Sequence, residues 1–215
     1  MGRVQGQVLL AFLAIGIAGT MVGAGVGAGM ADSYKGTETP TYSVEESDGA
    51  VQVRSYPPHL AAEVTVEGSR DNAVGTGFRV LAAYIFGGNE AKAKVAMTTP
   101  VAQSEKIAMT TPVAQSGAGS TWVVQFSMPS QFTMETLPCP KDPRIRLVTN
   151  PAKRMAVLEF SGIPTTSSLE ARSAELRAWA AQRGLAVEEP PQFMFYDSPF
   201  TLPWKRRNEV GFVLR

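Results

Sequence analysis

Apolar and polar positions follow three different rhythms along the chain. The first is a run with no rhythm at all: Val4 to Ala31 contains no Asp, Glu, Lys or Arg, its most apolar part runs from Val8 to Ala18, and glycines recur at 19, 23, 25, 27 and 29. Two readings fit residues 1–31. A signal peptide for export would end in small residues ahead of the cleavage point, as Gly29-Met30-Ala31 do. A retained transmembrane anchor from Val8 to Ala31 would be long enough to cross a hydrocarbon layer of ~30 Å, and Gly19/Gly23 and Gly23/Gly27 have small-xxx-small spacing. Either reading keeps Arg3 on the cytoplasmic side and sends the rest across the membrane, so a periplasmic or otherwise extracytoplasmic domain is expected. Residues 32–41 are polar and aperiodic and read as a linker, which leaves 42–215 as the folded domain.

Within that domain the second and third rhythms, of period two and period 3.6, occur twice in the same order. Shifting Val51–Gly68 by 94 residues onto Ile145–Gly162 superposes Val53 on Leu147, Pro57 on Pro151, Ala62 on Ala156, Val66 on Phe160 and Gly68 on Gly162. Each copy is an alternating run, a Pro-marked turn and a second alternating run, which predicts a hairpin. A helix follows each. After Gly68, Val74, Phe78, Leu81 and Ile85 mark a buried stripe ended by Gly87-Gly88-Asn89. After Gly162, Ser167 and Glu170 form a capping-box pattern, Leu169, Leu176 and Trp179 or Ala180 a stripe, and Gly184 a stop. Further strands are expected at Val95–Val101, Ile107–Val113, Trp122–Met128, Phe193–Tyr196 and Val210–Leu214. The fold class is α+β, a pseudo-twofold pair of ββαβ units with a mostly antiparallel, barrel-like sheet flanked by two helices.

A local repeat is superimposed on the long one: Ala96–Ser104 recurs identically as Ala108–Ser116, twelve residues on. That even spacing would let two adjacent strands present equivalent side chains. Pro100 and Pro112 cannot donate to a ladder and belong at strand ends or edges.

Composition narrows function by exclusion. Twenty Lys plus Arg against 19 Asp plus Glu leave a net charge of +1, without the basic surplus that phosphate neutralisation requires, so nucleic acid is not an expected partner. One Cys and one His provide neither a disulfide framework nor a structural zinc site. The nucleophile-elbow, phosphate-loop, H-E-x-x-H and C-x-x-C patterns are all missing from the sequence, and no catalysis is expected. Glu45, Glu46, Glu63, Glu67 and Glu159 could pair as carboxylates, but they read as solvated hairpin charges.

Seven segments in order then point to a family. Val53-Arg-Ser-Tyr-Pro-Pro58, Ala62-Glu-Val-Thr-Val-Glu-Gly68, Ile107-Ala-Met-Thr-Thr-Pro-Val113, Phe126-Ser-Met-Pro129, Leu137-Pro-Cys-Pro140, Phe160-Ser-Gly162 and Arg206-Arg-Asn-Glu-Val210 together resemble the SOUL/haem-binding protein family. The resemblance covers 42–215. It implies a pseudo-symmetric barrel-like sheet related in shape to bacterial effector-binding domains, and non-covalent binding of haem or another tetrapyrrole for sequestration, sensing or transport. The competing reading is a module of the same fold for another small amphiphile or a protein partner, again without catalysis.

A haem-like ligand needs an apolar face for the ring, cations for the propionates and, in some proteins, an iron ligand. The resemblance places the binding groove on the exposed side of the first helix. With Val74, Phe78, Leu81 and Ile85 turned inward, that side carries Asn72, Thr76, Arg79, Val80, Ala83 and Phe86. The bland alternative is that Val80 and Phe86 pack under a neighbouring loop and Arg79 is a solvated charge. His59, the only imidazole, falls in the Tyr56–Leu60 turn, where a surface histidine titrating near its ordinary value is expected, with iron ligation as the sharper reading. Met97 and Met109 read as core filling or, if His59 does not ligate, as soft thioether ligands to iron, Cys139 as an inert loop thiol, and Lys205-Arg206-Arg207 as a solvated basic run or a contact for propionates or anionic headgroups.

Overall fold

The computed structural model describes residues 33–91 and 104–215. Its elements are β1 (Ser33–Tyr34), β2 (Thr37–Glu38), β3 (Ser43–Asp48), β4 (Val51–Tyr56), β5 (His59–Glu67), α1 (Arg70–Ile85), β6 (Asn89–Glu90), β7 (Val113–Ala118), β8 (Thr121–Ser127), β9 (Cys139–Pro140), β10 (Arg146–Asn150), β11 (Lys153–Phe160), α2 (Thr166–Gln182), β12 (Gln192–Phe195) and β13 (Asn208–Val213). The apolar run before Ala31, Met97, the expected strand Val95–Val101 and all but the last residue of the first Ala96–Ser104 copy lie outside the described residues. Among the described residues no helix is long and apolar enough to cross a membrane.

One antiparallel sheet carries the domain, in the order β10-β5-β8-β7-β12-β13-β11-β4-β3, curled into a half-barrel. The two long-range copies are related by a pseudo-twofold, as expected, but neither is a hairpin. Strand β4 pairs with β11, matching Val53 with Ala156, and β5 pairs with β10, matching Ala62 with Leu147. Each match maps onto the other under the 94-residue shift. Pro57-Pro58 and Pro151-Ala152 therefore act as crossovers that hand the second strand of each copy to the other half of the sheet. A two-residue link between extended runs looks the same in sequence whether the chain folds back or passes on.

Alternation then fills the two faces. On the convex face Val53, Ala156, Leu158, Val210 and Phe212 form a core with Leu169 and Leu176 of α2, and Ala62, Val64, Val124 and Phe126 form another with Leu81, Tyr84 and Ile85 of α1. The buried side of α1 is Arg70, Ala73, Gly77, Leu81, Tyr84 and Ile85. It is turned from the expected stripe: Phe78 is 38% exposed, meeting Phe126 only edge-on, because the close contact goes through Gly77. A Cβ at Gly77 would stand 2.6 Å from Val124 Cβ. Asn89, fully buried, closes the helix end: its amide donates to the carbonyls of Tyr84 (2.7 Å) and Glu105 (2.8 Å) and accepts from the Glu105 N–H.

Other expectations shift by smaller amounts. Helix α2 is capped by Thr165, whose hydroxyl accepts from Ser168 N–H at 3.2 Å, rather than by a Ser167/Glu170 box, while Leu169, Leu176, Ala180 and the positive-φ Gly184 fall where predicted. Residues 107–112 are not a strand; β7 begins at Val113, directly after Pro112, because a residue without an N–H cannot enter the ladder. Strand β3 was unforeseen. The expected linker is a packed strap instead: β1 and β2 pair, Thr39 is buried, and Tyr34 and Tyr42 lie on the concave face.

Candidate functional site

On α1, Asn72, Thr76, Arg79, Ala83 and Phe86 lie at intervals of three and four and so share one outward stripe, with Val80 at its half-buried flank. Phe86 is 60% exposed at the helix terminus. The Arg79 guanidinium, exposed, donates to Thr76 Oγ1 at 3.1 Å, which lays it along the helix surface. Small Ala83 between Arg79 and Phe86 leaves a flat strip bounded by a ring and a cation. Those residues suit the face of a planar apolar ligand and one anionic substituent. The stripe holds no imidazole, thiol or thioether, so it fits a tetrapyrrole through ring and carboxylate contacts and not through iron.

The concave face is built differently. Gln52, Arg54 and Tyr56 alternate with Val51 and Val53 along β4 and project to the side away from the helices. Arg54, 2% exposed, makes a fork-to-fork pair with fully buried Glu209 of β13: Nη1 to Oε2 and Nη2 to Oε1, both 3.0 Å. Arg54 Nε donates to Gln52 Oε1 at 2.8 Å, and its guanidinium stacks 4.4 Å over the Tyr42 ring. Glu209 also accepts from Tyr196 Oη (2.9 Å) and from Arg207 Nη2 (2.7 Å). Burial pushes the Tyr56 phenol up to about 12 and Tyr196 higher still, so both stay protonated, Tyr196 donating to Glu209 and Tyr56 accepting from Arg54 Nη1 at 3.3 Å. Burial opposes the Arg54 charge, but the adjacent Glu209 carboxylate outweighs it and holds the guanidinium charged. This network had a sequence signal, charged residues at inward positions of alternating strands, but alternation does not say which face of a two-sided sheet is covered.

The strap closes this face. Tyr34 packs edge-on against Tyr196 and Tyr42 against Tyr56. Thr111 N–H donates to Glu38 O (2.9 Å) and Ser130 N–H to Glu38 Oε1 (2.8 Å), tying the strap across the barrel. The cavity beneath, lined by Tyr42, Tyr56, His59, Lys153, Met194 and Tyr196, is about 30 Å³, the space of one water. Larger recesses of about 430 and 560 Å³ are open grooves beside β3 and β4, the first reaching Arg54 and Arg206 and the second Tyr42 and Arg154.

His59 is half-buried at the start of β5 instead of being a free surface histidine. Asn150 Nδ2 donates to its Nε2 at 3.1 Å and its Nδ1 lies 3.3 Å from Pro57 O, an arrangement satisfied by the neutral ring with the proton on Nδ1. Burial lowers its pKa first, and Lys153 adds to that. The Nε2 lone pair that would reach iron is thus already engaged. Lys153, its counterpart under the 94-residue shift, is also lowered by burial and donates to Gln192 Oε1 at 3.0 Å.

The basic run divides by role. Arg206 ties its own loop, donating to Thr201 O (2.7 Å) and Pro199 O (2.6 Å), Arg207 belongs to the Glu209 network, and Lys205 is exposed. Met109 is 39% exposed rather than core filling, since residues 104–112 lie over the sheet without joining it. Glu63 is buried against Arg146 (2.6 Å) and Gln125 (2.6 Å) rather than solvated. Cys139 is exposed in β9, and no group of three or more His, Cys, Asp or Glu suited to a metal occurs among the described residues.

Comparison with known proteins agrees with this architecture. The human heme-binding protein 2 is 26% identical over 186 residues, which cover 82% of this chain and 85% of the relative. Among solved structures, the C-terminal domain of EcmrR matches with a TM-score of 0.56 at 11% identity, over 77% of this chain and 96% of that one. A conserved protein from Listeria innocua matches with a TM-score of 0.53 at 13% identity, over 77% and 92%, and a hydrolase from the same organism with 0.50 at 14%, over 77% and 91%. At such identities these structures share the fold alone. The family model for SOUL heme-binding protein spans residues 37–213, from the strap to the end of β13, and by that match the chain belongs to the SOUL haem-binding protein family.

Proposed function

We propose that this protein is an exported or membrane-anchored module that holds haem or a related tetrapyrrole on the outer stripe of α1, to sequester, sense or carry it. Family membership supports tetrapyrrole binding in general. The observation that carries the location is the exposed Phe86–Ala83–Arg79 strip, set against a cavity of about 30 Å³ between Tyr42, Tyr56 and Tyr196 and a recess of about 230 Å³ between the strap and Pro57–Leu60. Ligand pockets for drug-sized molecules run to ~300–1,000 Å³, more than either of these spaces offers. In this reading Thr76 orients Arg79, Arg79 meets a propionate, and Val80, Ala83 and Phe86 meet the ring. His59 stays off the iron, its Nε2 being held by Asn150. The module binds without catalysis and without nucleic acid, its charge being balanced once the first 31 residues are set aside. Export or anchoring is supported by the uncharged run from Val4 to Ala31.

Mass spectrometry of the small molecules that co-purify with the native protein tests this reading. A tetrapyrrole mass is expected; a different amphiphile recovered in stoichiometric amount would replace it with the alternative of a same-fold carrier for another ligand.

A further inference from the structure

Seven large apolar side chains among the described residues are exposed, and four of them stand together: Phe200 (95%), Trp204 (69%), Ile163 (59%) and Leu202 (48%). The loop between β12 and β13 carries three of these, and Ile163 joins them because Gly162 N–H donates to Pro203 O at 3.0 Å. Exposure here is not slackness. Besides the two Arg206 bonds to Pro199 and Thr201 carbonyls, Thr201 N–H donates to Ser198 O (2.9 Å) and Lys205 N–H to Leu202 O (2.9 Å), so the loop is braced in a shape that holds its rings outward. Exposed apolar side chains gathered on a braced loop and the turn bonded to it mark a contact surface. An exposed cation, Lys205, borders it.

What covers the patch follows from where the described chain begins. Asp197, near the start of the loop, accepts from Tyr34 Oη at 2.9 Å and Arg207 N–H at 2.7 Å, and pairs with Lys35. The first residues of the strap are thereby pinned to the base of the loop. Two residues before Ser33, the sequence enters its uncharged run. Aromatic side chains flanked by a lysine, beside the point where an apolar segment leaves the domain, match the composition of a membrane–water interface, where Trp and Phe settle at headgroup depth and Lys meets anionic lipid.

We propose that Ile163, Phe200, Leu202, Trp204 and Lys205 form a bilayer contact that seats the domain on the membrane entered by residues 4–31. This rests on reading those residues as membrane-entering. The test uses the full chain mixed with vesicles of phosphatidylcholine and phosphatidylglycerol, with and without brominated acyl chains, and reads flotation and tryptophan emission for wild type and Trp204→Phe. Trp204 is a surface position, so the variant folds. The expected result is flotation of both proteins, with brominated lipid quenching the part of the emission that Trp204→Phe removes and aqueous iodide losing most of its access to it. Phe200→Ser with Leu202→Ser should restore iodide access while flotation persists. Flotation with equal bromine quenching in wild type and Trp204→Phe, and Trp204 still open to iodide, overturns the loop contact and leaves the membrane-entering segment standing. A chain that does not float overturns the reading of residues 4–31, and the seating with it.

Discussion

Glu209 is the residue on which the interior of the half-barrel is organised. Donors from three side chains, Arg54, Arg207 and Tyr196, converge on its fully buried carboxylate. Removing one partner of a buried pair strands the other charge, which costs about 3–5 kcal/mol, whereas replacing both by apolar groups is often neutral. Glu209→Gln is therefore expected to destabilise the domain by about that amount, measured by urea unfolding, and Arg54→Met in the same background to recover part of it. His59 supplies a pH signature. Its folded pKa lies below the ordinary imidazole value of 6.5, so the unfolded chain takes up its proton first as pH falls. Stability should be full above that value, decline as pH drops through it, and level off below the folded pKa. His59→Gln should remove this decline and leave the separate one near and below pH 4, where the lowered carboxyls of Glu45 and Asp197 protonate. Neither residue's role was legible from its own neighbourhood in the sequence. Glu209 gains its meaning from a strand 155 residues away and His59 from Asn150 across the β5–β10 ladder.

At the scale of elements, α1 carries two glycines whose environments set opposite signs. Gly75 has nothing within 4 Å of its would-be Cβ, so Gly75→Ala should raise stability by about 0.5–1 kcal/mol through helix propensity alone. Gly77→Ala gains the same propensity but drives a methyl against Val124 Cβ, which is fixed to the sheet backbone; overpacking of ~1–3 kcal/mol outweighs the gain, and the variant should be less stable than wild type in the same assay. The helix was evident in the sequence from its period, yet its rotation was not. A stripe read from Val74, Phe78, Leu81 and Ile85 weights large residues, while the tightest helix–sheet approach is made by the smallest one. The strap shows the complementary failure. Thr37-Glu38-Thr39-Pro40-Thr41 has no apolar period because its attachment comes through Glu38 oxygens accepting from Thr111 and Ser130 N–H and through two flanking tyrosines, Tyr34 and Tyr42, that pack edge-on and tilted against Tyr196 and Tyr56.

For the whole molecule, the 94-residue repeat carried the most information. It announced two equivalent halves and a pseudo-twofold, and the register confirms both, down to the paired matches of Val53 with Ala156 and Ala62 with Leu147. It could not announce that the halves exchange strands, since local alternation is indifferent to partner. That exchange matters for function: with β4 and β11 side by side and β5 against β10, the concave faces of both halves merge into one surface, which the strap then fills. On the proposed reading a planar ligand of haem size takes the outside, where of the two helices only α1 offers an exposed ring and cation separated by a small residue. The central claim is therefore about place. Haem titration into the full chain followed by absorbance tests it most directly, run on wild type, Arg79→Glu and Tyr42→Ala. A Soret shift is expected for wild type, weakened about tenfold by Arg79→Glu, in line with the loss of one charge-assisted hydrogen bond of ~1.5 kcal/mol, and unchanged by Tyr42→Ala, which alters only the concave face. No shift in wild type, or a shift sensitive to Tyr42→Ala and indifferent to Arg79→Glu, would contradict it.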